Sequence, residues 1–175
     1  MTPRQLFLRE RDIPYRIPLT TDELNDSCAG KHERLLHAFQ QIGLESRYRI
    51  CRYRWSDLNL SKELNALPHE NESTHLYLET LIDQEWRTID ATWDSAIDAR
   101  FEVNEWDPRK DMKIAVPAFE ILSPEASAEY MQKLTAEEAQ MDLEKNGAFY
   151  HAFNLWLEQL RGANSCRIQH LGTAI

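Results

Sequence analysis

The run NDSCAGKHERLLHAFQQIGLESRYRI (Asn25–Ile50) decides how the rest of the chain is read. Asn25, Asp26 and Ser27 are three successive residues suited to capping a helix N-terminus. Leu35, Leu36, Phe39 and Ile42 then recur at helical spacing, and Gly43 supplies a left-handed stop. Cys28 therefore falls in the first turn of an amphipathic helix. Unpaired N–H groups and the positive end of the helix dipole favour a thiolate there. The same N–H groups can receive a developing oxyanion. Plain apolar filling is the competing role for such a cysteine, so its meaning depends on the other groups the chain supplies.

Downstream, the segment from Arg47 to Trp55 is aromatic and β-tolerant and predicts a strand, and residues 56–73 predict a loop. THLYLETLIDQEWRTIDATWD (residues 74–94) predicts an antiparallel hairpin of Thr74–Ile82 and Trp86–Thr92 around Asp83-Gln84-Glu85. His75 lies in its first strand and Asp90 in its second. A turn centred on those three residues makes partner numbers sum to about 168, so His75 faces position 93 and Asp90 faces position 78. That register keeps the two side chains apart unless a bulge or a slip intervenes. MKIAVPAFEIL (residues 112–122) predicts one further strand at a sheet edge, because Pro117 removes a ladder donor. From residue 123 the pattern is helical, in three segments: SPEASAEYMQKL, TAEEAQMDLEK with the capping pair Thr135/Glu138, and FYHAFNLWLEQLRG.

Working outward to the whole chain, 175 residues with 42% hydrophobic content predict one globular domain over 1–175, with a core at about 10–122 and a helical extension at about 123–162. A net charge of -9 argues against nucleic-acid binding, which needs a basic footprint. The charge is uneven: residues 1–60 carry ten Lys+Arg against eight Asp+Glu, and the remainder ten against twenty-one. Arg47, Arg49, Arg52 and Arg54 form a basic strand face, either simply solvated or able to attract an anionic group. Cys28, Cys51 and Cys166 have neither disulfide-framework nor zinc-ribbon spacing. No apolar leader and no run near the roughly 18–20 residues of a membrane span occur, so the expectation is a reducing cytoplasm and no membrane.

The coupled motifs resemble the transglutaminase-like superfamily, relatives of the papain-like cysteine peptidases. A small residue and Cys open the helix; FQQIGLESR (residues 39–47) matches the family's helix exit into a strand. His75-Leu76-Tyr77-Leu78-Glu79 matches a His-aromatic-x-Glu strand with the aromatic shifted by one, and Trp86-Arg87-Thr88-Ile89-Asp90-Ala91-Thr92 matches Trp-x-x-hydrophobic-Asp-x-Thr. The likeness covers residues 25–94, about 40% of the chain. It implies an α+β papain/transglutaminase-like core, with a Cys-bearing helix packed on an antiparallel sheet that bears His and Asp. It also implies Cys28 as nucleophile, His75 as general base and then acid, and Asp90 as the group orienting the imidazole. Ser27 and Asp26 stand where many relatives have glycine, Ala29 replaces the aromatic of the animal crosslinking enzymes, and no calcium-loop signature is present.

The implied activity is that of a cysteine hydrolase or acyltransferase attacking an amide, peptide or isopeptide carbonyl through a thioester, with no cofactor and no metal. Its partners would be a peptide, a protein or a small amide; no motif specifies an oligomeric state. The alternatives are a non-catalytic transglutaminase-like domain that binds a protein or peptide, and an acyltransferase of the arylamine N-acetyltransferase type. Among the remaining residues, Tyr15 is a candidate oxyanion-hole side chain whose simpler role is packing or a turn. His32, four residues after Cys28, is read as structural, although Cys28, His32, His69 and His75 are also a conceivable zinc set. Lys31 is expected to face solvent, Glu79 to sit at the core rim, and Cys51 to be an inert filler.

Overall fold

Residues 1–97 and 99–171 are described by the computed structural model, with side chains described through residue 163. Cys166 and His170 therefore lie outside the described side chains. The chain is α+β: a four-stranded antiparallel sheet with helices packed against it. Helix α1 (Pro3–Arg11) is capped by Thr2 in a reciprocal box with Gln5, so part of the proline-punctuated N-terminus is helical. After it come α2 (Cys28–Gln41), β1 (Ser46–Arg54), α3 (Lys62–Asn65), β2 (Glu72–Ile82), β3 (Glu85–Ile89), β4 (Glu120–Ile121), α4 (Pro124–Lys133) and α5 (Ala136–Leu171). The sheet order is β3-β2-β1-β4. Leu78 and Ile89 pack in one cluster with Leu35 and Phe39 of α2 and Phe7 of α1. Cys51, Tyr53 and Tyr77 belong to a second, aromatic cluster with Phe149, Phe153 and Leu157 of α5.

Four expectations change. The hairpin turn has two residues, Asp83 and Gln84, both at positive φ, and it pairs Ile82 with Glu85. Partner numbers therefore sum to 167, as in Leu78↔Ile89, one less than the three-residue turn requires. The predicted strand at 112–122 shrinks to the two residues of β4 beyond Pro117. The last two predicted helices are one, because Gly147 is accommodated inside α5 without a break. Finally, α3 forms within the predicted loop, where Ser61 caps the Leu64 N–H.

Gly43 takes φ +79 at the end of α2, as a left-handed stop requires. Gly30 is needed for a different reason. A Cβ there would lie 1.8 Å from the Asn25 carbonyl oxygen, so only glycine lets the loop before Cys28 fold back on the helix. Arg34 closes that loop by donating to the Asn25 carbonyl and the Asp26 carboxylate.

Candidate active site

Ser27 is the N-cap of α2 but makes no capping bond; its hydroxyl donates to the Asn25 side chain at 2.6 Å. The Ser27 side chain thus caps none of the first-turn N–H groups of α2. The His75 Nε2 meets Asp90 Oδ2 at 2.8 Å, which leaves Nδ1 for the hydrogen bond with the Cys28 thiol. All three residues carried over from the family resemblance come together.

The one-residue register difference explains how the hairpin brings His75 to Asp90. Extending the observed register past Ile89 sets position 92 opposite His75, so position 90 is its diagonal neighbour on the same face. In a 168 register Asp90 points to the other face. Asp90 is then fixed from three further directions. Its Oδ2 accepts from the Ala115 N–H at 2.8 Å, its Oδ1 from the Thr92 N–H at 3.0 Å, and its carbonyl from Asn104 Nδ2 at 3.0 Å.

A backbone donor also reaches the sulfur. Ile50 directs its N–H to Ser127 and its carbonyl to the Leu122 N–H, both away from β2. Its antiparallel partner Leu76 must turn its own N–H away from β1. β3 stops at the Leu78↔Ile89 pair, so the Leu76 N–H is free to donate to Cys28.

Electrostatics follow from these contacts. Burial pushes the Cys28 thiol up, but the charge and hydrogen bond of His75, with the Leu76 N–H, outweigh it and hold the thiol below its ordinary range. Burial works to neutralise His75, and the charges of Asp90 and Cys28 overcome it, so the imidazole is held protonated. Burial likewise acts to raise Asp90, and the facing His75 holds it below the usual carboxylate range. A thiolate–imidazolium pair backed by a carboxylate is the resulting charge state. Cys51, buried among core residues, is pushed up to about 12 by burial, in keeping with an inert filler.

Two neighbours hold this group in place. His32 is fully buried and has a fixed tautomer. Its Nε2 accepts from the Ala91 N–H at 2.8 Å, so its Nδ1–H donates to the Cys28 carbonyl at 2.7 Å. Burial drives its pKa down to about 4. Lys31 does not face solvent as expected. Its ammonium is buried and donates to the carbonyls of Arg11 (2.8 Å), Ile13 (2.9 Å) and Thr92 (2.8 Å), tying α2 to the N-terminal segment and the chain beyond β3. Burial lowers its pKa to about 8. The only hint in the sequence was helical phase: Lys31 lies on the same side as Leu35.

Tyr15 has the packing role expected of it, and its hydroxyl lies at the start of α2. Its ring packs on Trp93 at 4.9 Å, and its hydroxyl accepts from the Cys28 N–H. Burial raises its pKa well above the ordinary phenol value, so the hydroxyl keeps its proton. Helix α5 fixes this stretch: Asn154 bonds both the N–H and the carbonyl of Ile17, and Arg161 donates to the Tyr15 carbonyl and to Asp94. Asp94 in turn accepts from the Tyr15 N–H.

The remaining candidates lie outside this cluster. His69 stacks on Phe149 at 4.0 Å and bonds the Leu67 carbonyl, and no metal-holding group of His, Cys, Asp and Glu occurs among the described residues. The expected single basic face does not form: β1 is regular, so Arg47 and Arg49 point to one side of the sheet and pair with Glu79, while Arg52 and Arg54 point to the other and pair with Glu120 and Glu72. Three glutamates thus offset most of the four arginine charges, and Glu79 occupies the rim position expected of it. A cleft of about 590 Å³ opens at Cys28, bounded by Tyr15, Tyr53 and Trp55 on one side and by the α4–α5 elbow on the other. No helix among the described residues is long and apolar enough to cross a membrane. Comparisons with models of protein families, with curated proteins and with solved structures found no match to this chain.

Proposed function

We propose that this protein is a cysteine-dependent enzyme with a transglutaminase-like core that attacks an amide, peptide or isopeptide carbonyl through a thioester. The observation that carries the reading is the His75 ring, held by Asp90 at 2.8 Å on one nitrogen and bonded to the Cys28 thiol on the other, at a helix N-terminus that opens on a cleft.

In the first step the Cys28 thiolate forms a C–S bond to the carbonyl carbon, and the carbonyl π electrons move onto oxygen. The Cys28 N–H and the protonated Tyr15 hydroxyl are adjacent donors. An oxyanion entering between them replaces their mutual hydrogen bond with two of its own. Collapse breaks the C–N bond, and the departing amine takes the proton from the His75 imidazolium. Water or an amine then gives a proton to the neutral imidazole as it attacks the thioester, and the thiolate is released. Asp90 stays ionised throughout and keeps Nδ1 aimed at sulfur.

The test is iodoacetamide labelling across pH 5–9, with the label assigned to Cys28, Cys51 or Cys166 by peptide mass mapping. Cys28 labels rapidly at pH 6 while Cys51 does not, and Cys28→Ala keeps its fold but loses turnover of any amide the native protein cleaves. Equal labelling of Cys28 and Cys51 with the pH profile of a free cysteine, or undiminished turnover by Cys28→Ala, overturns the reading.

A further inference from the structure

The cleft beside Cys28 has a chemistry of its own. Its inner wall is apolar and aromatic, built from Ile50, Tyr53, Trp55 and Leu76, all buried. The outer wall is the α4–α5 elbow, where Met131 and Leu134 face the same space. Leu134 is 49% exposed, so a large apolar side chain stands at the cleft mouth with little covering it. The charges of the cleft lie on the elbow. Lys133 is neutralised by Glu129 at 2.6 Å, whereas Glu138 and Asp142 form no ion pair among the described residues. Asp142 accepts from the Tyr150 hydroxyl and from Asn146, which hold its carboxylate in place without cancelling its charge.

We infer that the acyl half of the substrate carries a bulky uncharged apolar group, aromatic or branched aliphatic, next to the scissile carbonyl, and that acidic acyl groups are rejected. This inference rests on the proposed thioester chemistry and specifies its substrate class. Two features point to the acyl group as occupant. The cleft is continuous with the sulfur, since Ser27, Cys28 and Ala29 line it. Its volume of about 590 Å³ is that of a small-ligand site, too small for a folded partner. An apolar group there removes water from Trp55 and Leu134, while a carboxylate is desolvated against apolar walls and repelled by two unpaired negative charges.

The experiment uses the full chain and three p-nitrophenyl esters with one leaving group: acetate, 3-phenylpropionate and the hemisuccinate. Each acylation rate, read as the nitrophenolate burst, is divided by that ester's rate with free cysteine. The phenylpropionyl ester is expected to acylate Cys28 at least about tenfold faster than acetate, and the hemisuccinate at least about tenfold slower than phenylpropionate. Leu134→Glu should cut the phenylpropionyl preference by about fivefold or more. Glu138→Gln combined with Asp142→Asn should raise the hemisuccinate rate about threefold. Cys28-dependent acylation with equal normalised rates, or a preference that neither variant alters, overturns the inference and leaves the thioester reading standing. A burst that is absent with all three esters, or persists in Cys28→Ala, overturns both.

Discussion

Two buried histidines, His75 and His32, stand 6.3 Å apart on either side of the same carboxylate, and one is protonated while the other is neutral. Both are excluded from water, and burial drives each toward neutrality. His75 has Asp90 Oδ2 at 2.8 Å on one nitrogen and an acidic thiol on the other, and these overcome burial. His32 lies 3.7 Å from Asp90 Oδ1, but a backbone N–H already fills its Nε2 and a carbonyl takes its Nδ1–H. Charge thus follows the closer anions, Asp90 and Cys28, at His75, and burial at His32, whose two ring nitrogens are taken by neutral backbone groups. One ring is held protonated beside the Cys28 sulfur, and the other joins the Cys28 carbonyl to the Ala91 N–H, setting the helix mouth against the chain that carries Asp90.

The comparison breaks most sharply under acid. His32 has its folded pKa near 4 against about 6.5 unfolded, so the unfolded chain binds more protons between those values. Stability from this group is present above pH 6.5 and is lost as pH falls through 4, about 3 kcal/mol in all. Protonation there is opposed by desolvation, by His75⁺ and by Lys31, and favoured by Asp90. His32→Gln keeps an acceptor for the Ala91 N–H and does not titrate. Urea unfolding from pH 4 to 7 should show the native slope flattened in that variant, and an unchanged slope would assign His32 the wrong protonation state.

On the other ring the expected effect is about 100-fold. His75→Asn removes the imidazolium, so Cys28 alkylation at pH 6 should slow by that factor and its pH profile move up toward an ordinary thiol. Asp90→Asn retains the ring but not the charge that keeps it protonated, and the slowing should be about tenfold. Arg47→Ala sharpens the contrast from outside the cluster. Arg47 is partly exposed and shares Glu79 with Arg49, so the variant should lose under about 1 kcal/mol in urea unfolding and leave alkylation unchanged.

Much of this arrangement was legible in the sequence, and the failures have local causes. The α2 helix follows from the periodicity of its one buried face and ends at Gly43, while the hairpin strands follow from β-rich runs around a turn-like segment, β2 being buried on both faces. The His75–Asp90 contact was obscured by one residue of turn length: Asp83-Gln84 is an unusual pair for a two-residue turn with both φ positive. Lys31 was misread because a lysine is almost never buried unless paired, and its three carbonyl partners come from distant segments. The cleft was not foreseen at all, since its outer wall depends on how α4 and α5 meet, which no local pattern records.

The clamp of α5 on the Tyr15–Ile17 segment has a consequence for biogenesis. Asn154 and Arg161 reach back across 137 and 146 positions to hold the segment that carries the phenol beside the thiol. On a ribosome Cys28 is made early, yet its surroundings stay unfinished until α5 emerges. Closing contacts of such long sequence separation is slow, so a nascent chain would expose an incomplete centre, and competence would be switched on late, by the arrival of the last element.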